Sequence, residues 1–423
     1  RGVGGGNWNH IAGVGNVNTA AQIYTEGNVV LTGTIYSPYF ELWADAGNIT
    51  QSAGHVDSGN PGGNFFELRA DNISLTSATN QLTGAGLITW SGAGNVTAVS
   101  SGNTNLAYVS GGATSLTVAG GNLSVGADGI DVGTLTANAS GTIDLRGRIG
   151  TLGNVTAGGD ASFRSSSNLT VNGTINLGTG RLSLGTAGTL SQLSGAITAG
   201  GLDVTAAGAI TMNANNSVGT IYGLATQNGG ISYSSNSGFA LGGDITAGGG
   251  NAVSLNATLG SINQNAGIIT AARLDASAGN QILLTRVNQV GQLGDLTAGN
   301  AASFTVRDDL TLLGTISGSS VTLSSTDGAI SQAGGAILTA SLSAYASTGL
   351  DLFRANNATA LGGLGTTSGN LRFRNSGDIA LTNMTVGGNL TLLSDSGAIR
   401  QNVGTILTVG GTATLTADGG IRL

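Results

Sequence analysis

Apolar and polar residues alternate in short bursts along almost the whole chain, as in Leu169-Thr-Val171, Leu202-Asp-Val204, Val253-Ser-Leu255, Val321-Thr-Leu323 and Leu390-Thr-Leu392. A period of two sends every second side chain to one face, so each burst predicts a strand buried on one side only. Clusters such as Thr156-Ala-Gly-Gly159, Thr198-Ala-Gly-Gly201 and Thr246-Ala-Gly-Gly249 separate the bursts and predict tight turns. Val171, Val204, Leu255, Leu323 and Leu392 are the expected core positions.

The bursts are organised by a longer period. Gly188-Thr-Leu-Ser-Gln192, Gly260-Ser-Ile-Asn-Gln264, Gly328-Ala-Ile-Ser-Gln332 and Gly397-Ala-Ile-Arg-Gln401 align, and their glutamines recur about every 70 residues. Leu152, Leu224, Leu293 and Leu361 hold the same phase, each about 40 residues ahead of its glutamine. Gly47-Asn-Ile-Thr-Gln51 repeats the signature further back. A fixed period of this kind points to a stacked architecture rather than several globular domains. The expectation is an all-β, right-handed parallel β-helix with coils of about 23 residues, three to each repeat of about 70, so that equivalent glutamines recur every third coil. About 18 coils stacked at about 4.8 Å would make a rod on the order of 90 Å long. Antiparallel sandwiches would demand regular hairpin turns, and Asn172-Gly173 and Asn228-Gly229 are sparse.

Composition agrees. Only 8% of the 423 residues are charged, all 14 basic ones are Arg, and Glu26, Glu41 and Glu67 are the only glutamates, so the strong helix formers are nearly absent. Trp8, Trp43, Trp90, His10, His55, Pro38, Pro61 and all three Glu fall early. Residues 1–120 are therefore expected to form less regular coils, a cap or a binding insertion, and 121–423 one continuous solenoid. A net charge of −7 gives no basic footprint for nucleic acid, and no stretch reads as a membrane span. Without Cys there is neither a disulfide nor a thiolate metal site. A Cys-free, Lys-free chain rich in Gly, Asn and Thr suits an exported protein, and the absent initiator Met suggests a processed chain or a fragment.

Gly260-Ser-Ile-Asn-Gln-Asn-Ala-Gly267 and Thr326-Asp-Gly-Ala-Ile-Ser-Gln-Ala-Gly-Gly335, with the Leu-x-Ala strands that follow, resemble repeats of filamentous-haemagglutinin-like bacterial exoproteins. The resemblance runs from about residue 120 to the end. It implies a secreted adhesive or structural rod at the bacterial surface or in the extracellular matrix, serving adhesion, aggregation or biofilm scaffolding. Proteins of that two-partner secretion type carry an Asn-Pro-Asn-Gly signature in a secretion domain, whereas this chain offers Asn60-Pro-Gly-Gly63.

Parallel β-helices also carry polysaccharide lyases and glycosidases, which is the alternative reading. A glycosidase needs two carboxylates flanking the scissile bond. Asp308-Asp309 is the only adjacent acidic pair, and its place before Leu310-Thr-Leu312 reads as a turn. Asp128 and Asp131 resemble a calcium-binding turn but lack a repeated ligand pattern, and His10 and His55 lack a third ligand. Flat Thr ladders would suit ice binding, which uneven coil lengths oppose. Sequons at Asn48, Asn154, Asn168 and Asn389 read as turn asparagines or as glycosylation sites. No catalytic residue, cofactor or metal is expected, and the chain is expected not to be an enzyme. Thr412–Leu423 still reads as a coil in mid-pattern, so the rod is expected to continue, or to pair end to end with another copy. Host or matrix glycans and proteins are the other expected partners.

Overall fold

Each alternating burst is too short to bury its apolar face alone, and a neighbour one coil away supplies the missing hydrogen bonds and contacts. The computed structural model, which describes residues 21–36, 39–58, 65–89, 92–126 and 129–423, resolves this as a parallel β-solenoid. Its one helical element among the described residues is a 3₁₀ turn at Gly248–Gly250. Trp8, His10, Pro38, Asn60-Pro-Gly-Gly63, Trp90 and Asp128 lie outside the described residues.

The chain divides into two compact units, Arg1–Ala207 and Gly208–Leu423. In the first, one inward column runs Leu42, Leu68, Leu87, Val109 and Ile130, each in parallel register with the next and all buried. A second runs Ile143, Ala161, Leu182 and Leu202. In the second unit Ile231, Val253, Leu274, Leu293 and Leu312 form a column that arrives at Gln332. The expected core residues Val171, Val204, Leu255, Leu323 and Leu392 are each at most 1% exposed, so the strand phase read from the bursts is the observed one.

Coil length varies: Leu241 to Gln264 and Met384 to Leu407 each span about 23 residues, the length read from the repeat, while other coils are shorter. From Leu274 the column passes through Leu293 and Leu312 to Gln332, which is about 20 residues per coil instead of about 23. The stretch from Gln264 to Gln332 therefore takes up about three and a half coils. Gln264 consequently stands in another column, below Leu241, beside the ladder that continues from Ile262 through Ile282, Ala302 and Val321. Equivalent glutamines do not stack; the repeat turns about the axis relative to the coils. The physical reason is that register is set by inward apolar pairs, which any face of the coil accepts, while the sequence repeat counts strands.

Candidate functional site

The glutamines that mark the repeat close corners of the coil. Gln264 Nε2 donates to Gly267 O (3.1 Å) and to Asn288 Oδ1 (2.8 Å), while Asn288 Nδ2 returns a bond to Gln264 Oε1 (3.2 Å) and donates to Thr305 O (3.0 Å). Asn288 Oδ1 also accepts the Ile269 N–H (2.8 Å). Gln332 repeats the arrangement with Gly335 O (3.3 Å) and Asn356 (2.8 and 3.1 Å), and Asn356 Oδ1 accepts the Ile337 N–H. In the first unit Gln51 pairs with Asn80 at 2.9 Å in both directions and donates to Gly54 O. Gln192 donates to Gly195 O (2.9 Å), and Gln401 to Thr405 O (2.7 Å).

The glycine that follows Gln264 and Gln332 at the corner is not interchangeable. At Gly267 φ is +68°, and an added Cβ would stand 2.2 Å from the Gly243 carbonyl carbon; at Gly335 φ is +60°, with 1.8 Å to Gly314 O. Gln, Gly and Asn thus form one device that satisfies buried backbone groups with neutral side chains. Asn288 and Asn356 escape the sequence reading although they stand as far apart as Gln264 and Gln332, and Arg286-Val-Asn288 and Arg354-Ala-Asn356 share a pattern. The leucine landmarks Leu152, Leu224, Leu293 and Leu361 are buried core positions at most 3% exposed.

The exposed acids serve the corners too. Asp309 Oδ1 accepts the Ala329 N–H (2.8 Å), and the Asp308 carbonyl accepts Ser325 Oγ (2.7 Å). Asp295 and Asp378 accept an N–H one coil on in the same way, as do the sequon asparagines Asn154, Asn168 and Asn389. Asn48 accepts from Asn72 Nδ2 (2.6 Å). Asp131 is ion-paired with Arg148, and His55 Nδ1 meets Thr34 Oγ1 at 3.3 Å. Among the described residues no three His, Cys, Asp or Glu converge as metal ligands, and no helix is long and apolar enough to cross a membrane.

The strongest concentration of chemistry is on the outward face of the strands Ala21–Thr25, Tyr39–Gln51 and Phe65–Leu75. Parallel register sets Gln22, Glu41 and Glu67 in one row and Tyr24, Trp43 and Arg69 in the next. Glu41 accepts Tyr24 OH and Tyr39 OH at 2.7 Å each and Gln22 Nε2 at 2.9 Å. Burial pushes the Glu41 carboxyl up, but these three donors and the Arg69 charge outweigh it and hold the group below the usual carboxylate range. Tyr39 is shifted the other way, chiefly because its hydroxyl proton is donated to Glu41. Glu67 is paired with Arg69 Nε (2.5 Å), whose guanidinium lies 4.6 Å over the Trp43 ring, with Tyr24 edge-on to that ring at 4.8 Å. Tyr39 stacks on Phe65 at 5.3 Å. The early clustering of Glu and aromatics is visible in the sequence, but only the register brings Glu41 beside Glu67.

Residues 158–225 and 368–423 are similar to a family described as repeats of unknown function (DUF5649). The two stretches begin three periods of the repeat apart. No curated protein and no solved structure matches the chain.

Proposed function

We propose that the chain is an exported adhesive or structural element of a bacterial surface or extracellular matrix, as its resemblance to filamentous-haemagglutinin-like repeats implies, and that it is not an enzyme. The observation that supports this reading is the use of polar side chains: the Gln–Asn pairs and the corner Asn and Asp groups are engaged in holding coil on coil, as in a structural rod. Its partners on this reading are matrix or host glycans and proteins, or further copies of itself.

The alternative, a polysaccharide lyase or glycosidase, draws on one observation, the neighbouring carboxylates Glu41 and Glu67. Glycosidases of this kind need one carboxyl kept protonated as an acid. Glu41 is held ionised by three donors, and Glu67 is engaged by Arg69, so the pair favours a fixed structural cluster. The test is incubation of the full chain with neutral and acidic polysaccharides, reading reducing ends and unsaturated products, beside adhesion of chain-coated beads to bacterial and host surfaces. Bead adhesion without turnover is expected; turnover abolished by Glu41→Gln or Asp309→Asn would overturn the proposal.

A further inference from the structure

The second unit carries a groove of about 540 Å³ whose lining includes Tyr345, Thr326, Ser347, Thr367, Asn383 and Thr385. That volume lies within the ordinary range for small-ligand sites. No acidic or basic side chain lines it. Its floor has a specific origin. Outward positions in successive coils run Ser324, Tyr345, Gly365 and Thr385 in register. At Gly365 an added Cβ would stand 3.2 Å from Tyr345 Cδ1, and at Gly363 it would stand 2.4 Å from the Tyr345 hydroxyl. The tyrosine ring therefore lies across two glycines that are themselves buried, while Tyr345 remains 50% exposed. With no side chain at 365 the Tyr345 ring lies down on the backbone, so the floor of the groove between Tyr345 and Thr385 is the ring itself.

Tyr222 shows the same construction elsewhere in this unit: it is 46% exposed, and a Cβ at Gly242 would meet its ring at 3.4 Å. An aromatic ring laid on glycine backbone is held by its neighbours in the adjacent coil with one face open. A tyrosine fixed flat beside a groove offers an apolar face and a polar hydroxyl to whatever enters it.

We propose that the Tyr345 groove binds a neutral saccharide, with a sugar ring stacked on Tyr345 and its hydroxyls hydrogen-bonded by Thr326, Ser347, Thr367, Asn383 and Thr385. The chemistry selects this class. An anionic glycan would find no cation, a peptide side chain of either charge no counter-ion, and a purely apolar ligand would strip water from hydroxyl and amide groups it cannot replace. The proposal rests on the adhesive reading given above and names a ligand class for it.

The test uses the full chain with cellohexaose, chitohexaose and, as the anionic control, a heparin hexasaccharide, read by calorimetry and by saturation-transfer NMR. At least one neutral probe is expected to bind, with Tyr345→Ala weakening it by about tenfold or more and Tyr345→Phe retaining most of it. Protection of Tyr345 from nitration by the same oligosaccharide supplies a readout that needs no variant. Failure of both neutral probes to bind, neutral binding untouched by Tyr345→Ala with no protection of Tyr345, or preference for heparin would overturn the site. Beads that adhere equally with Tyr345→Ala and in excess neutral oligosaccharide would sink the groove and leave the adhesive reading standing; beads that never adhere would sink that reading, whatever the oligosaccharides do.

Discussion

Two polar clusters, nearly equal in exposure, are built on opposite principles. Gln264 and Asn288, 7% and 0% exposed, face inward in the second unit, whereas Glu41 and Glu67, both 8% exposed, face outward in the first. The inner cluster is neutral and its partners include backbone groups, so it carries no charge-burial penalty and recurs as Gln332–Asn356 one period later. The outer cluster is charged and needs donors from three strands, Tyr24, Gln22, Tyr39 and Arg69. Repeat-borne polarity is architecture here; polarity particular to one region marks where the chain departs from its repeat.

Both clusters rest on apolar columns, so the harshest way to break either is from below. Leu323→Asp in the second unit or Leu42→Asp in the first places an unpaired charge at a fully buried position and is expected to cost about 4 kcal/mol or more. Thermal unfolding followed by circular dichroism checks this. An unchanged midpoint would mean that the columns are not where stability resides.

The lock comes next. Asn288→Ala removes the acceptor of the Ile269 N–H and both bonds to Gln264, stranding buried polar groups at an expected cost of about 3 kcal/mol. Asn356→Ala should cost nearly the same, because its partners are equivalent. Denaturant unfolding of the two variants side by side is the measurement; a large inequality would show that the repeat keeps the residues without keeping their energetic role.

How much of this is legible in the sequence depends on the kind of signal. The strands and the inward set are written in the alternation, because a period of two states which side faces in. The glutamines stand out as landmarks, yet their task does not, since Gln–Asn pairing joins residues 24 apart in sequence that only coil closure brings together. The count of three coils per repeat fails for a related reason: a repeat divides into coils only once the length of the corners is known, and corners such as Gly267 and Gly335 are set by backbone angle rather than by hydrophobic pattern. The Tyr345 groove leaves a faint mark, a tyrosine followed one coil later by Gly363-Leu-Gly365.

Acid separates the clusters by charge. Glu41 has a folded pKa below its ordinary 4.5, so the stability it contributes is present above that value and is lost as pH falls through the folded value. The neutral locks do not titrate. As pH falls below about 4.5 the first unit is expected to weaken first, and Glu41→Gln should flatten that part of the profile. Tyr39, raised above 10.0, sets the opposite limit: its contribution is complete below that pH and is lost as pH rises through the folded value. Hydrogen exchange resolved by segment distinguishes the units; equal acid sensitivity in both would detach the effect from Glu41.

The smallest effect sharpens the comparison by showing what charge is worth when it stands alone. Arg372 Nη1 meets Asp351 Oδ2 at 2.9 Å, with the two side chains 47% and 48% exposed, and the guanidinium lies 4.3 Å from the Phe353 ring centre. Water screens such a pair and side-chain entropy opposes it, so Arg372→Ala is expected to cost about 0.5 kcal/mol, less at high salt. Arg69 makes superficially the same contacts, a carboxylate and an aromatic ring, but Glu67 is only 11% exposed in its side chain and its row also holds Glu41. Removing Arg69 leaves two neighbouring carboxylates without their cation, so Arg69→Ala should cost clearly more than Arg372→Ala. Salt should restore part of the difference, because part of the penalty is repulsion between the carboxylates. Double-mutant cycles of Arg69 with Glu67 and of Arg372 with Asp351 measure the two couplings under one set of conditions. Equal couplings would mean that the outer face of the first unit is no more than an ordinary solvated surface.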